Sequence, residues 1–156
     1  MMNTRTLAAV ALLSLIGTSG QAKILANAER TGNFELTTSG TQVPLPLLTG
    51  SDVTTLTVRN PKSKTTNYVL TFSAKCNAWG SLGTGWVDID ITINGQVLPL
   101  TEGLNDAFCN ADTQAVRPSI TLVVPMLPGD NAIQVLGRIS GSTGGSLGYT
   151  SLVIHD

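Results

Sequence analysis

The sequence is poor in charged residues and in the side chains that most hydrolases use. Lys, Arg, Asp and Glu make up 12% of the 156 residues, about half the usual share, and the formal net charge is -1. No basic cluster is available for a nucleic acid or an anionic membrane. The one histidine, His155, lies next to the C-terminus, a poor position for a rigidly held general base. We therefore expect no nucleic-acid partner and no Ser-His-Asp chemistry.

Motifs for catalysis and cofactor binding are also lacking. Residues 144–148 match G-x-S-x-G, but that motif works only with a strand before the serine and a helix after it. Here a Gly/Ser loop precedes the serine and an apolar strand pattern follows it. No zinc, phosphate-binding or EF-hand pattern occurs. We expect no catalytic residue and no cofactor.

The N-terminus has the three-part layout of a secretory signal peptide. Arg5 precedes an apolar run over residues 7–16, and small or polar residues then end at Ala22. The run is about ten residues long, too short to span a bilayer of about 30 Å. The sequence predicts cleavage after residues 1–22, secretion or periplasmic location, and no membrane insertion. The mature charge is then 8 minus 10, or -2.

Two cysteines, Cys76 and Cys109, fit an oxidising compartment. No nearby histidine completes a zinc shell, and no C-x-x-C redox motif occurs. We predict a structural disulfide between them, which would close a loop of about 33 residues.

Short alternating runs separated by turn residues predict β-structure without helices. Asn94-Gly95 lies between two apolar runs and predicts a type I′ hairpin, because both residues accept positive φ. Parallel strands would need helical crossovers, so we predict an all-β fold, an antiparallel two-sheet sandwich of jelly-roll type with about eight strands. Residues 23–50 are expected to form an extended N-terminal segment with an edge strand, and residues 51–156 the sandwich domain. The candidate strands are 33–38, 53–60, 67–75, 86–93, 96–100, 119–125, 131–139 and 147–155.

These patterns also predict one core face and one loop. In the strand 67–75 one face carries the side chains expected to enter the core, which are Tyr68, Leu70, Phe72 and Ala74. The Gly/Ser-rich residues 140–146 are expected to form a flexible loop.

Four segments resemble strands of the jelly roll shared by complement globular heads and the tumour necrosis factor superfamily, including bacterial relatives. They are "NYVLTFSAK", "VDIDITINGQVL", "VVPMLPGDNAIQV" and "SLGYTSLVI", in the family's order over residues 66–155. The chain departs from the family in lacking a collagen-like stalk and the usual Phe of the final strand, and its cysteine pair is not a family hallmark. The resemblance implies a trimeric module that binds proteins or glycans and has no catalytic residues.

The segment 86–93, "WVDIDITI", carries the candidate site. Trp86, Asp88, Asp90 and Thr92 share one face of the strand, whereas four aliphatic side chains share the other. Because the aliphatic face suits a core, we predict that the Trp/Asp/Asp/Thr face is exposed. It is then either an ordinary solvated sheet face or a sugar platform, with the indole stacking and the carboxylates binding hydroxyls.

Two other chemistries use the same carboxylates. Calcium requires six to eight oxygen ligands, so loop donors would have to supplement Asp88 and Asp90. A glycoside hydrolase requires one carboxyl group with a raised pKa, and an exposed strand would not provide it. Trp79 lies in a Gly-rich connection beside Cys76, where it either covers one end of the core or offers a second stacking surface.

The sequence thus leads to three hypotheses. The first is a secreted, non-enzymatic β-sandwich that acts by surface recognition of a protein or glycan, or by assembly. The second is a structural subunit of a surface fibre or matrix, in which the N-terminal strand takes part in assembly. The third is a carbohydrate-active hydrolase built on the two aspartates.

Overall fold

The computed structural model describes residues 22–80, 85–99, 107–110 and 115–156. The predicted signal peptide lies outside these ranges except for Ala22. The described residues form two antiparallel sheets and contain no helix, so none is available to cross a membrane. The predicted all-β sandwich is confirmed, and its jelly-roll type stays a prediction. The ten strands are β1 (Ile24–Leu36), β2 (Val43–Pro44), β3 (Leu56–Asn60), β4 (Thr66–Trp79), β5 (Trp86–Ile93), β6 (Gln96–Val97), β7 (Ala107–Asn110), β8 (Ser119–Met126), β9 (Gly129–Ser140) and β10 (Gly144–His155).

Each sheet has two central strands. Sheet A has the order β1-β10-β4-β8, so β1 and β8 are its edges. Sheet B is centred on β9 and β5, with β2 and β3 beside β9 and with β6 and β7 beside β5. The chain moves from one sheet to the other at most of its connections.

The core lies between the sheets and follows the alternation predicted for the two longest apolar patterns. Both predicted inward faces are buried: Tyr68, Leu70, Phe72 and Ala74 in β4, and Val87, Ile89, Ile91 and Ile93 in β5. Burying one large aliphatic side chain contributes roughly 1.5–3 kcal/mol. The N-terminal part of the chain also contributes to this core through Ala28, Leu36, Leu45 and Leu47.

Several predicted boundaries were wrong. β1 begins at Ile24 rather than at 33, because bulges between Ile24 and Ala26 and between Arg30 and Asn33 break its alternation. β6 ends at Val97, before the predicted end at 100, which lies outside the described residues. β2 and β7 have two and four residues, too few for a periodic pattern. The predicted loop 140–146 is shorter, since β9 extends to Ser140 and β10 begins at Gly144.

The predicted hairpin at Asn94-Gly95 is confirmed. Both residues have positive φ, 52° and 80°, and Thr92 pairs with Val97 across the turn. The Asn94 side chain also accepts a hydrogen bond from the Ala132 N–H at 2.9 Å and donates one to Asn131 Oδ1 at 3.0 Å. The turn is thereby anchored to β9.

The predicted disulfide is confirmed and joins the two sheets. Cys76 lies in β4 of sheet A and Cys109 in β7 of sheet B, 33 positions apart in the sequence. Both are buried, and the rings of Phe72 and Phe108 pack beside them with centroids 5.7 Å apart. The bond therefore holds β7 against the core as well as against β5.

Removing this bond tests its contribution. We expect the double variant Cys76→Ala/Cys109→Ala to lose about 3–4 kcal/mol of unfolding free energy, because the unfolded chain regains the entropy of an open loop. Guanidinium denaturation under non-reducing conditions measures the difference. Reductant should lower the wild-type midpoint and leave the double variant unchanged. Equal midpoints for both proteins without reductant would contradict a stabilising role.

Candidate functional site

The side chains of β5 that point away from the core are mostly buried. Trp86, Asp88, Asp90 and Thr92 share a face, as the alternation predicts, but the prediction that this face is exposed was wrong. Asp88, Asp90 and Thr92 are 2%, 3% and 5% exposed, and Trp86 is half-buried. β5 is paired on both edges, and residues from other parts of the chain reach its outer face.

Arg138 supplies the positive charge beside the two carboxylates. It lies directly opposite Asp88 in the ladder between β5 and β9. Its Nη2 is 3.2 Å from Asp88 Oδ2 and 3.8 Å from Asp90 Oδ2, and its side chain is itself largely buried. One guanidinium therefore lies against two buried carboxylates. Sequence reasoning missed Arg138, although it is the one charged residue in the predicted strand 131–139 and was a signal for the cluster.

Gln42 reaches one of these carboxylates, Asp90, from the segment between β1 and β2. Its side-chain amide donates to Asp90 Oδ2. The backbone around it follows the other edge of β9, where the Gly40 N–H donates to the Ile139 carbonyl at 2.9 Å and β2 pairs with Leu136 and Gly137. We call Gln42, Trp86, Asp88, Asp90, Thr92 and Arg138 the buried polar cluster.

Desolvation is the largest influence on the pKa of Asp88. Burial raises the pKa of Asp88 above its ordinary value of 3.8, while the hydrogen bond from Arg138 opposes this rise and the charge of Asp90 adds to it. The Trp86 indole also lowers the pKa of Asp88, although its Nε1–H falls short of full hydrogen-bond geometry. Asp88 Oδ1 and Thr92 Oγ1 have no hydrogen-bond partner among the described residues.

The buried polar cluster contains the two carboxyl groups of a glycoside hydrolase site, but these groups are almost inaccessible to solvent. A raised pKa at one of two carboxyl groups is what a glycoside hydrolase requires. From the sequence we expected no raised pKa, because the strand was predicted to be exposed. In the structure, burial raises the pKa of Asp88. The same burial keeps a polysaccharide away from both groups. For calcium, Arg138 already places a positive charge beside the carboxylates, and no group of three or more acidic, His or Cys residues gathers within the described ranges.

Trp79 lies in a different sheet from Trp86, so the structure does not place the two in one site. It ends β4 in sheet A and is 40% exposed on the outer face. Its ring lies over Gly144, where an added Cβ would approach Trp79 Nε1 to 2.4 Å. Glycine at that position leaves the space that the indole occupies over β10.

Polar side chains continue from Trp79 along the outer face of sheet A. Asn77 and Lys75 follow at alternate positions of β4, and Ser146 lies opposite Asn77. Asn33 of β1 extends over Gly148, where a Cβ would come within 2.3 Å of its Oδ1. These four side chains line most of a cavity of about 110 Å³.

Tyr149 ends this row of side chains and was missed by sequence reasoning. It lies in a bulge of β10, between the pairs formed by Gly148 and Ser151, with a φ of 50°. Tyr149 is 52% exposed, and the Arg117 guanidinium lies 5.7 Å from the centroid of its ring. Tyr149 also borders a second depression of about 160 Å³ between β1 and β10. We call Asn33, Lys75, Asn77, Trp79, Ser146 and Tyr149 the aromatic-flanked strip.

Comparison with known proteins gives no functional information. No family model matches the chain, and no curated protein matches it. Among solved structures it is similar to dimeric latent PorU from Porphyromonas gingivalis, with 12% identity and a TM-score of 0.40. The similarity covers 88% of this chain but 14% of that protein. At this TM-score the similarity carries no argument.

Because the ion pair of Arg138 is buried, we expect its loss to cost much more unfolding free energy than the loss of an exposed ion pair. Arg138→Met leaves two buried carboxylates without their guanidinium and should cost about 3–5 kcal/mol of unfolding free energy. Arg59→Met is the control, since Arg59 pairs with Asp130 at 3.5 Å with both side chains exposed, and should cost about 0–1 kcal/mol. Urea denaturation of both variants measures this. Similar losses would contradict a structural role for the cluster.

The raised pKa of Asp88 predicts a specific pH dependence. The folded state keeps the Asp88 proton to a higher pH than the unfolded chain, so stability from this group is complete below 3.8 and is lost as pH rises through the folded pKa. We expect Asp88→Asn to gain stability relative to wild type as pH rises from 3.8 towards neutrality. Unfolding free energies of both proteins across this range test it. A difference that does not change with pH would contradict the assignment.

Proposed function

We propose that the protein is an exported, non-enzymatic β-sandwich module that binds a glycan along the aromatic-flanked strip of sheet A. Tyr149 carries this proposal. A left-handed backbone costs a residue other than glycine roughly 1–2 kcal/mol, and at Tyr149 this conformation presents an exposed ring. Backbone strain of this kind concentrates at functional sites. It gives a physical reason to expect recognition at this position.

The arrangement of the strip suits an extended chain of sugars. Trp79 lies opposite Gly144, and Tyr149 directly follows Gly148, which lies opposite Lys75. The two aromatic side chains are therefore separated by about four residues, or about 13 Å, along the strand direction. Aromatic rings pack against the apolar faces of sugar rings. The amides of Asn33 and Asn77, together with a hydroxyl and an ammonium group, can bind sugar hydroxyls between them.

Export and the absence of catalysis are parts of the same proposal. The Cys76–Cys109 disulfide suits an oxidising compartment, which supports a secreted or periplasmic location. The two carboxylates that most resemble a catalytic pair are 2–3% exposed. A substrate would have no access to them, which supports a binding role over hydrolysis.

A structural subunit is the second candidate, and one observation favours it. β1 is an edge strand near the N-terminus, and it pairs along most of its length with β10. The same strand supplied by a neighbouring copy would make the same contacts, with Ala28 and Leu36 entering the core. A chain lacking residues 23–50 that stays folded without binding added peptide 23–50 would argue against this second candidate.

The glycan proposal predicts that Tyr149→Gly separates binding from stability. Removing the ring should weaken binding at least about tenfold. The unfolding free energy should stay within about 1 kcal/mol of wild type, because relief of the left-handed strain offsets the lost contact with Arg117. Labelled protein on an array of oligosaccharides and polysaccharides identifies a ligand, and calorimetry with that ligand measures affinity.

Two further variants complete this experiment. Trp79→Ala should weaken the same interaction, whereas Leu127→Ala, which removes an exposed apolar side chain outside the strip, should leave it unchanged. An array on which the wild type binds nothing would contradict the glycan proposal and favour a protein ligand. Binding that survives both aromatic substitutions would place the site elsewhere.

A further inference from the structure

The two edges of sheet A differ in how far their backbone is protected. At β1, Thr49 Oγ1 accepts a hydrogen bond from the Thr31 N–H at 2.8 Å, and the Thr49 N–H donates to the Glu29 carbonyl at 3.3 Å. Two bulges and charged side chains further disfavour pairing at that edge. At β8 no such contact covers the free edge within the described ranges.

The register shows which backbone groups β8 presents at this edge. Cys76 and Val116 exchange both backbone hydrogen bonds, at 2.8 and 3.0 Å, and the Ala74 N–H donates to the Pro118 carbonyl at 3.3 Å. Hydrogen-bonded pairs alternate with non-hydrogen-bonded pairs in an antiparallel ladder. Positions 119, 121 and 123 therefore direct both N–H and C=O away from β4. The hydroxyls of Thr71 and Thr121, 3.1 Å apart, fit the closer spacing of such a pair.

The side chains along this edge are apolar or neutral. β8 has no charged residue, and Val123 is 67% exposed. An apolar groove of about 150 Å³ runs beside the strand, lined by Leu98, Pro99, Leu122, Val123 and Pro125. An uncharged edge strand that directs backbone groups outward at 119, 121 and 123, next to an apolar groove, is suited to the addition of another strand.

We propose that β8 pairs with β8 of a second copy of this chain, antiparallel about a two-fold axis through Thr121. Ser119 would then exchange hydrogen bonds with the partner's Val123, and Thr121 with the partner's Thr121. The partner's Ile120 lies opposite Leu122, where its side chain enters the groove. The two copies of sheet A become one sheet of eight strands. This inference does not rest on the proposed glycan binding.

Two features of the free edge of β8 allow it to pair with the same edge of a second copy. It has no charge, so two copies approach without the repulsion that protects natural edges from self-pairing. Pro125 is the outward-facing position of β8 that lacks an N–H, and the two-fold axis places it at both ends of the ladder. Because Pro125 lies at the ends of the ladder, its missing N–H removes one hydrogen bond there and leaves the bonds between the ends in place.

Matched lysine substitutions at two threonines test the proposal. Thr121→Lys and Thr71→Lys each remove the Thr71–Thr121 hydroxyl contact and add one positive charge to the same face. In the dimer, the lysine at 121 lies beside its symmetry mate. The two lysines at 71 are about three strand spacings apart, roughly 14 Å, beyond the screening length of about 8 Å.

Sedimentation equilibrium of the purified protein should show a dimer for the wild type and for Thr71→Lys. Association of Thr121→Lys should be at least about tenfold weaker. A wild type that stays monomeric at high concentration would overturn the proposal. Equal association of the two variants would also overturn it, as would a trimer that neither substitution affects.

Hydrogen exchange of the wild type gives an independent result if Thr121→Lys does not fold. The amides of residues 119, 121 and 123 point outward in the monomer, so their protection should rise with protein concentration. Amides of β4 that bond within the sheet serve as the internal control. Protection at these three positions that does not change across the association range would show that any dimer forms elsewhere.

Discussion

Each strand of this sandwich must bury one apolar face against the opposite sheet, and β5 meets that requirement at the centre of sheet B. Val87, Ile89, Ile91 and Ile93 fill the space between the sheets and leave the intervening polar side chains on the outer face. The strand is paired on both edges, and its outer face is covered as well. The buried polar cluster follows from this double burial, because Asp88 and Asp90 then need Arg138 and Gln42 as partners.

The outer faces of the two sheets consequently differ in how far they are exposed. On sheet B, Asp88 and Asp90 are enclosed and tie β5, β9 and the segment around Gln42 together. On sheet A the outer face remains open, and glycines at 144 and 148 leave the space that the side chains of Trp79 and Asn33 occupy over β10. The more exposed tryptophan and the strained Tyr149 are both on this sheet. This distribution is the reason that we propose the strip on β1, β4 and β10, and not the aspartates of β5, as the recognition surface.

The strip and the free edge of β8 belong to the same sheet. If β8 pairs with itself, the two strips lie on one face of a continuous sheet, related by the two-fold axis. A repetitive polymer could then contact both strips, and the second contact would benefit from a high effective concentration. The inter-sheet disulfide makes such a surface more rigid, because it joins β4, which carries half of the strip, to sheet B.

Much of the fold was predictable because it depends on local or unambiguous signals. Period-two alternation identified the core faces of β4 and β5, Asn94-Gly95 identified its turn, and two cysteines allow one pairing. The burial of Asp88 and Asp90 was not predictable, since Gln42 lies 48 positions from Asp90 and Arg138 lies 50 from Asp88. The bulges that shape β1 and expose Tyr149 interrupt the alternation that would reveal them. The sequence by itself determined which side chains share a face of a strand. Only the tertiary structure decided what covers that face, because the covering groups come from distant parts of the chain.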